Sequence, residues 1–215
     1  MAEHRIFVSY NQNDKDVKSI CYDFKGLKNY EEDLKTVFIN YDQSENLVAE
    51  RGNPANMTEE EIFAALDREM AGCDVTIVLL SPNMMDSDKP EREQWLPWEI
   101  AYSMNPSVRA DPNVLPNAVL AVAVPDKDGK YDHVYNRGSN RNIHLDCMPP
   151  IVRGNMLNIR EPKIGMDGKV VVTDDSNYFP VIKWSYFHAN SEHYIDLAVR
   201  HRNNAQAYNL VTKVE

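Results

Sequence analysis

The sequence predicts an α/β protein: a parallel sheet with helices on both faces, extended at its C-terminal end by a further strand and helix. Two continuous apolar runs carry this expectation, D-V-T-I-V-L-L-S at 74 to 81 and N-A-V-L-A-V-A-V-P at 117 to 125. Neither alternates polar with apolar residues, as strands buried on both faces do not. The third observation is order. Strand-like and helix-like stretches take turns along the first 125 residues, which implies parallel strands joined by helical crossovers.

Residues 4 to 10 form the first expected strand, with Ile6, Val8 and Tyr10 on one face and Phe7 on the other. The polar stretch 11 to 14 then suits a turn capping a helix, which is expected to carry Val17, Ile20, Cys21 and Phe24. T-V-F-I-N at 36 to 40 is the second expected strand. The polar connection 41 to 57 that follows is longer than α/β connections usually are, which marks it as a functional loop. Thr58 and Glu61 spell a capping box for a helix whose buried stripe is Ile62, Phe63, Leu66 and Met70, with Gly72 placed to end it. The third strand runs from Asp74, and the helix opened by W-L-P-W-E at 95 to 99 turns Ile100 and Met104 inward.

Past residue 125 the pattern changes. Residues 126 to 150 are rich in Asn, Asp and Gly and read as a long loop. A strand is expected at 156 to 160, a hairpin arm at 169 to 173 after the Asp167-Gly168 turn, and another strand at 179 to 187. Ser191 is the expected cap of a last helix reaching Tyr208. With no linker-like stretch between them, residues 1–125 form the core and 126–215 an elaboration packed on the same domain.

A formal charge of −10, from 33 acidic against 23 basic residues, argues against nucleic acid or an anionic membrane as the main partner. No run reaches the roughly 18 apolar residues of a membrane span. Three widely spaced cysteines without a C-x-x-C pair fit neither a disulfide framework nor a zinc site. The N-terminus enters a strand pattern almost at once, so the expected location is cytoplasmic. No metal site is expected, because the histidines do not fall at ligand spacings. Dinucleotide, P-loop and serine-elbow fingerprints are absent too.

Candidate functional residues gather at the carboxyl ends of the strands, where open α/β sheets bind ligands. Ser9, Tyr10 and Asn11 end the first strand, Asp42 follows the second and Ser81 closes the third. Glu99 stands just beyond it on the next helix, where Pro97 sits in the first turn. Ser81 also suits a turn cap. Trp95 and Trp98 offer stacking surfaces, although aromatic residues on helices commonly serve the core.

F-V-S-Y-N, the long polar loop, V-L-L-S and W-L-P-W-E occur in an order that resembles Toll/interleukin receptor (TIR) domains. The likeness is strongest to the TIR-like proteins of bacterial Thoeris antiviral defence (Thoeris B), and it covers roughly residues 4 to 125. It implies a flavodoxin-like sheet and a catalytic glutamate in a W-x-x-x-E pattern, here Trp95 to Glu99. It further implies cleavage of the nicotinamide–ribose bond of NAD, which is substrate rather than cofactor, giving a linear or cyclic ADP-ribose-derived signal. Ser9, Tyr10 and Asn11 match the first nucleotide-lining loop of the family. Self-association through TIR surfaces and a downstream effector reached through the nucleotide signal are the implied partners. Two other readings stand beside it: a non-catalytic TIR-like interaction module, and a nucleoside deoxyribosyltransferase-like enzyme, for which no second supporting carboxylate is found.

Overall fold

The computed structural model describes residues 4–20, 26–37, 52–70, 72–108, 115–137 and 142–214. Among these, four parallel strands form one sheet in the order β1 (Ile6–Ser9), β2 (Val75–Leu80), β3 (Ala118–Ala123) and β4 (Val181–Lys183). The chain is an α/β protein with a flavodoxin-like parallel sheet. Every residue of β2 and β3 is buried, as their unbroken apolar runs require.

Alternation along the strands sorts the core into two layers. Ile6, Val8, Ile77 and Leu120 face α1 (Lys28–Val37), α5 (Trp184–Ala189) and α6 (Ser191–Asn203). Here Tyr30 meets Trp184 edge to face at 4.6 Å. On the other side, Val78, Leu80, Val119 and Ala121 pack against α3 (Trp95–Met104) and α4 (Pro150–Gly154). Phe7 belongs to this side as well, with α2 (Glu59–Met70). The capping box at the start of α2 closes in both directions: Thr58 N donates to Glu61 Oε2 at 2.8 Å and Glu61 N to Thr58 Oγ1 at 3.3 Å. Gly72 follows α2 at φ 79°, a conformation open to glycine.

Several expected elements differ. No helix starts at Val17; that residue bridges Asp126, Lys18 N donates to Pro125 O at 3.0 Å, and Ile20 is exposed. Pairing with the loop after β3 takes the backbone groups a helix would have used, while Cys21 and Phe24 lie outside the described residues. Thr36 and Val37 end α1 rather than open a strand, and 38–40 lie outside the described residues. The stretch 179 to 187 is a strand only at Val181–Lys183, because Trp184 and Phe187 turn inward at helical spacing on α5. Of the strand expected at 156 to 160, only an Ile159–Tyr208 bridge is present. Asn190 rather than Ser191 caps α6, and Tyr208 lies beyond its end.

β4 pairs with β3, so the C-terminal stretch extends the same sheet. At the amino end of that sheet Arg202 Nη1 reaches the Asp74 carbonyl at 3.3 Å, which ties the end of α6 to the start of β2. Among the described residues, no helix is long and apolar enough to cross a membrane.

Candidate active site

The site forms where β1 and β2 end. Ser9 closes β1 and is buried; Glu99 lies in the second turn of α3 and is only 6% exposed. The Ser9 hydroxyl donates to Glu99 Oε2. Pro97 is the third residue of α3, where a backbone N–H has no helical partner to lose, so the proline costs nothing and starts the helix cleanly. Gln94, just before α3, turns its side chain outward to hold the preceding loop. Its Nε2 donates to the carbonyls of Asp86 at 2.9 Å and Lys89 at 3.0 Å, and its Oε1 accepts from Asp86 N at 2.8 Å.

Beneath Glu99 a polar chain crosses an otherwise apolar layer. Ser103 Oγ donates to the Glu99 carbonyl at 2.7 Å, which leaves Ser103 to accept from Thr76 Oγ1 at 2.8 Å. Thr76 in turn accepts from Asn117 Nδ2 at 2.9 Å. All three side chains are fully buried, so each bond satisfies a group that would otherwise be costly.

Above the strand ends opens a cleft of about 540 Å³, lined by Tyr10, Asn11, Asn53, Asp86, Trp95 and Glu99 among others. Its size suits a ligand of nucleotide dimensions. The first turn of α3, through Gln94, Trp95 and Leu96, lines the same cleft as the carboxylate. The Tyr10 hydroxyl donates to Glu31 Oε2 on α1; burial first, then this bond and the Glu31 charge, push the phenol far above its ordinary range and keep it a neutral donor. Asn11 Nδ2 donates to Asn83 O at 2.6 Å, and Trp95 Nε1 to Gly52 O at 3.2 Å. The latter bond joins the long polar loop to α3.

Residues 7–128, more than half of the chain, match the family model described as Thoeris protein ThsB, TIR-like domain. The chain belongs to that family. No solved structure matches it. The ThsB match takes in β1 from Phe7 onward and all of β2, α3 and β3, and so contains Ser9, Tyr10, Asn11, Ser81, Trp95 and Glu99; β4, α5 and α6 fall outside it.

Within this ThsB-type framework the structure brings Tyr10, Asn11, Trp95 and Glu99 to one cleft, with Ser9 behind Glu99. Trp98 is not at the cleft. It is buried against Phe63, ring centroids 5.6 Å apart, with Nε1 bonded to Arg92 O at 2.8 Å. Only Leu96 and Pro97 separate Trp95, which borders the cleft, from Trp98, which faces α2 on the same helix, and so spacing alone did not separate their roles. Ser81 is fully buried and does not line the cleft. Its hydroxyl closes no hydrogen bond by geometry, yet it lies near enough to Asp14 to favour that carboxylate. Asp42 lies outside the described residues.

Sequence reasoning passed over Asp14, Asn83 and Gln94. Asp14 Oδ2 accepts from Asn83 N at 2.6 Å, and Oδ1 from Asn83 Nδ2 at 3.1 Å and Asp16 N at 2.9 Å. Burial opposes its charge, but the Ser81 hydroxyl and these N–H donors outweigh burial and lower its pKa. The bonds staple the loop after β1 to the loop after β2. The signal was present in N-Q-N-D at 11 to 14, which reads equally as a helix cap.

Proposed function

We propose that the chain cleaves the nicotinamide–ribose bond of NAD and releases an ADP-ribose-derived signal, linear or cyclic, in Thoeris defence. The observation that carries this reading is the Glu99 carboxylate, buried at the wall of the cleft and oriented by Ser9.

Nicotinamide leaves as a neutral base from a cationic ribosyl pyridinium, so no general acid is needed. The remaining task is to hold the ribose and to favour the positive charge that develops on its anomeric carbon. A carboxylate in a water-poor wall does this more effectively than one in solvent. Glu99 accepts from the ribose hydroxyls or lies beside the oxocarbenium-like centre, as carboxylates do in glycoside hydrolysis. Trp95 supplies a flat surface at the cleft edge for a base, and Asn11 an amide within its polar rim. Water entering the same space gives linear ADP-ribose; a nucleophile from the substrate's own adenine gives a cyclic product.

The test is incubation of purified protein, resting and in assembled or infection-triggered form, with NAD and separately with deoxynucleosides, wild type beside Glu99→Gln. Glu99-dependent release of nicotinamide is the expected result. Deoxyribosyl exchange would favour the transferase reading instead, and loss of neither substrate in the assembled form would leave an interaction module.

A further inference from the structure

In the part of the chain beyond the family match, and with none of its residues lining the cleft, an exposed β-arm is formed by residues 163 to 172. The Asp167-Gly168 turn, with Gly168 at φ 77°, folds 169 to 172 back on 163 to 165. Gly165 N donates to Lys169 O and Val171 N to Lys163 O, both at 2.8 Å, around an Ile164–Val170 bridge. These bonds use the inner edge of the arm. The N–H and C=O groups of Val170 and Val172 face the other way, and no described residue bonds to them. The side chains are equally uncovered: Ile164 is 59% exposed, Val170 51%, Val171 43% and Val172 62%.

We propose that this edge pairs with the same edge of a second copy of the chain, antiparallel about a twofold axis at Val171. Three consecutive β-branched residues with an open row of backbone donors and acceptors form a template for strand addition. Natural edges are usually guarded by an inward charge, a proline or a bulge, and 170 to 172 has none of these.

The occupant follows from the sequence of the arm itself. K-V-V-V-T-D at 169 to 174 is basic at one end and acidic at the other, with Lys169 and Asp174 both exposed. A strand of that kind is complementary to its own reverse. With Val171 opposite Val171, Val170 of each copy meets Val172 of the other, and each such pair exchanges both N–H···O bonds. The lysine end of one strand then lies against the acidic end of the other. Ile164, Val170 and Val172 of both copies merge into one apolar row on a four-stranded ribbon. A contact confined to this arm is smaller than the roughly 1,200 Å² of a standard interface, so the dimer is reversible and concentration-dependent. It does not depend on the NAD reading.

Sedimentation velocity over a concentration series tests it on the full chain, with circular dichroism to check folding. Wild type is expected to shift from monomer to dimer as concentration rises. Val171→Lys and Val171→Glu, each placing like charges together on the axis, are expected to remain monomeric alone and to form a heterodimer when mixed. Val172→Pro removes an outward N–H while leaving the arm's internal bonds, and is expected to remain monomeric. A wild type that stays monomeric at every concentration would overturn the proposal and leave the edge to a different protein. Dimerisation of Val172→Pro like wild type, or failure of the two charge variants to pair, would overturn it equally.

Discussion

The Ser9 hydroxyl donates to the Glu99 carboxylate, joining the last residue of β1 to the second turn of α3. Two elements that meet only in the folded chain thus fix one rotamer of the proposed catalytic group. Ser9 is itself buried and does not line the cleft, so its role is to position Glu99.

Ser9→Ala is therefore expected to lower kcat for NAD with little change in KM. A hydrogen bond to a charged group is worth about 1.5–3 kcal/mol. If all of it acts on the transition state, the loss is roughly ten- to hundredfold. Ser9→Thr retains the hydroxyl and is expected to recover much of the rate, which a purely steric role would not predict. Steady-state kinetics of the assembled enzyme read both.

The two tryptophans of α3 are expected to part company. Trp95 borders the cleft, and Trp95→Ala should raise KM while leaving the melting temperature nearly unchanged. Trp98 is packed between α2 and α3, and Trp98→Ala should cost about 3–5 kcal/mol of stability, as deletion of a buried aromatic does. Chemical denaturation alongside NAD turnover separates the two effects.

Asp14 gives a prediction in acid. Its folded pKa lies below the ordinary carboxylate value of about 3.9. Its contribution is accordingly complete above that value and is lost as pH falls toward the lower, folded one. Asp14→Ala is expected to cost about 1–3 kcal/mol at neutral pH through the unsatisfied Asn83 and Asp16 donors. Urea titrations at pH 7 and near pH 3 should show the gap between wild type and variant closing in acid.

His201 acts in a milder range. It is buried, and burial lowers its pKa despite bonds to Asp175 and the Tyr178 carbonyl. Below about pH 6.5, the ordinary value, the unfolded chain binds the proton more readily than the folded one, so stability falls with pH. Thermal melts between pH 7.5 and 5 are expected to show a shallower decline in His201→Gln. His133, lowered by burial as well, accounts for a remaining slope.

The sheet was legible where burial on both faces leaves an unbroken apolar run, as in β2 and β3, and at β1, where Ile6 and Val8 part from Phe7 as alternation requires. Short runs misled. T-V-F-I-N has strand composition, yet its first two residues complete α1; P-V-I-K-W-S-Y-F changes period halfway, at Trp184. Glu99, Tyr10, Asn11 and Trp95 could be placed at one end of the sheet because strand order fixes which loops adjoin. The Asp14–Asn83 staple and the Gln94 clamp could not, because each joins a loop residue to backbone whose path no periodicity encodes.

The chain from Asn117 through Thr76 and Ser103 to the Glu99 carbonyl has a mechanical consequence. If α3 slid along β2 by a turn or rotated about its axis, it would strand three buried polar groups at once, whereas an apolar contact could slip at far lower cost. The helix bearing Glu99 is thus keyed to the sheet and serves as the fixed jaw of the cleft. The loops at 52 to 57 and 82 to 90, which also line the cleft, are anchored to this helix through the Trp95 and Gln94 side chains and through Met57 and Met84 in the apolar clusters it helps to form, so they keep their place because the helix keeps its own.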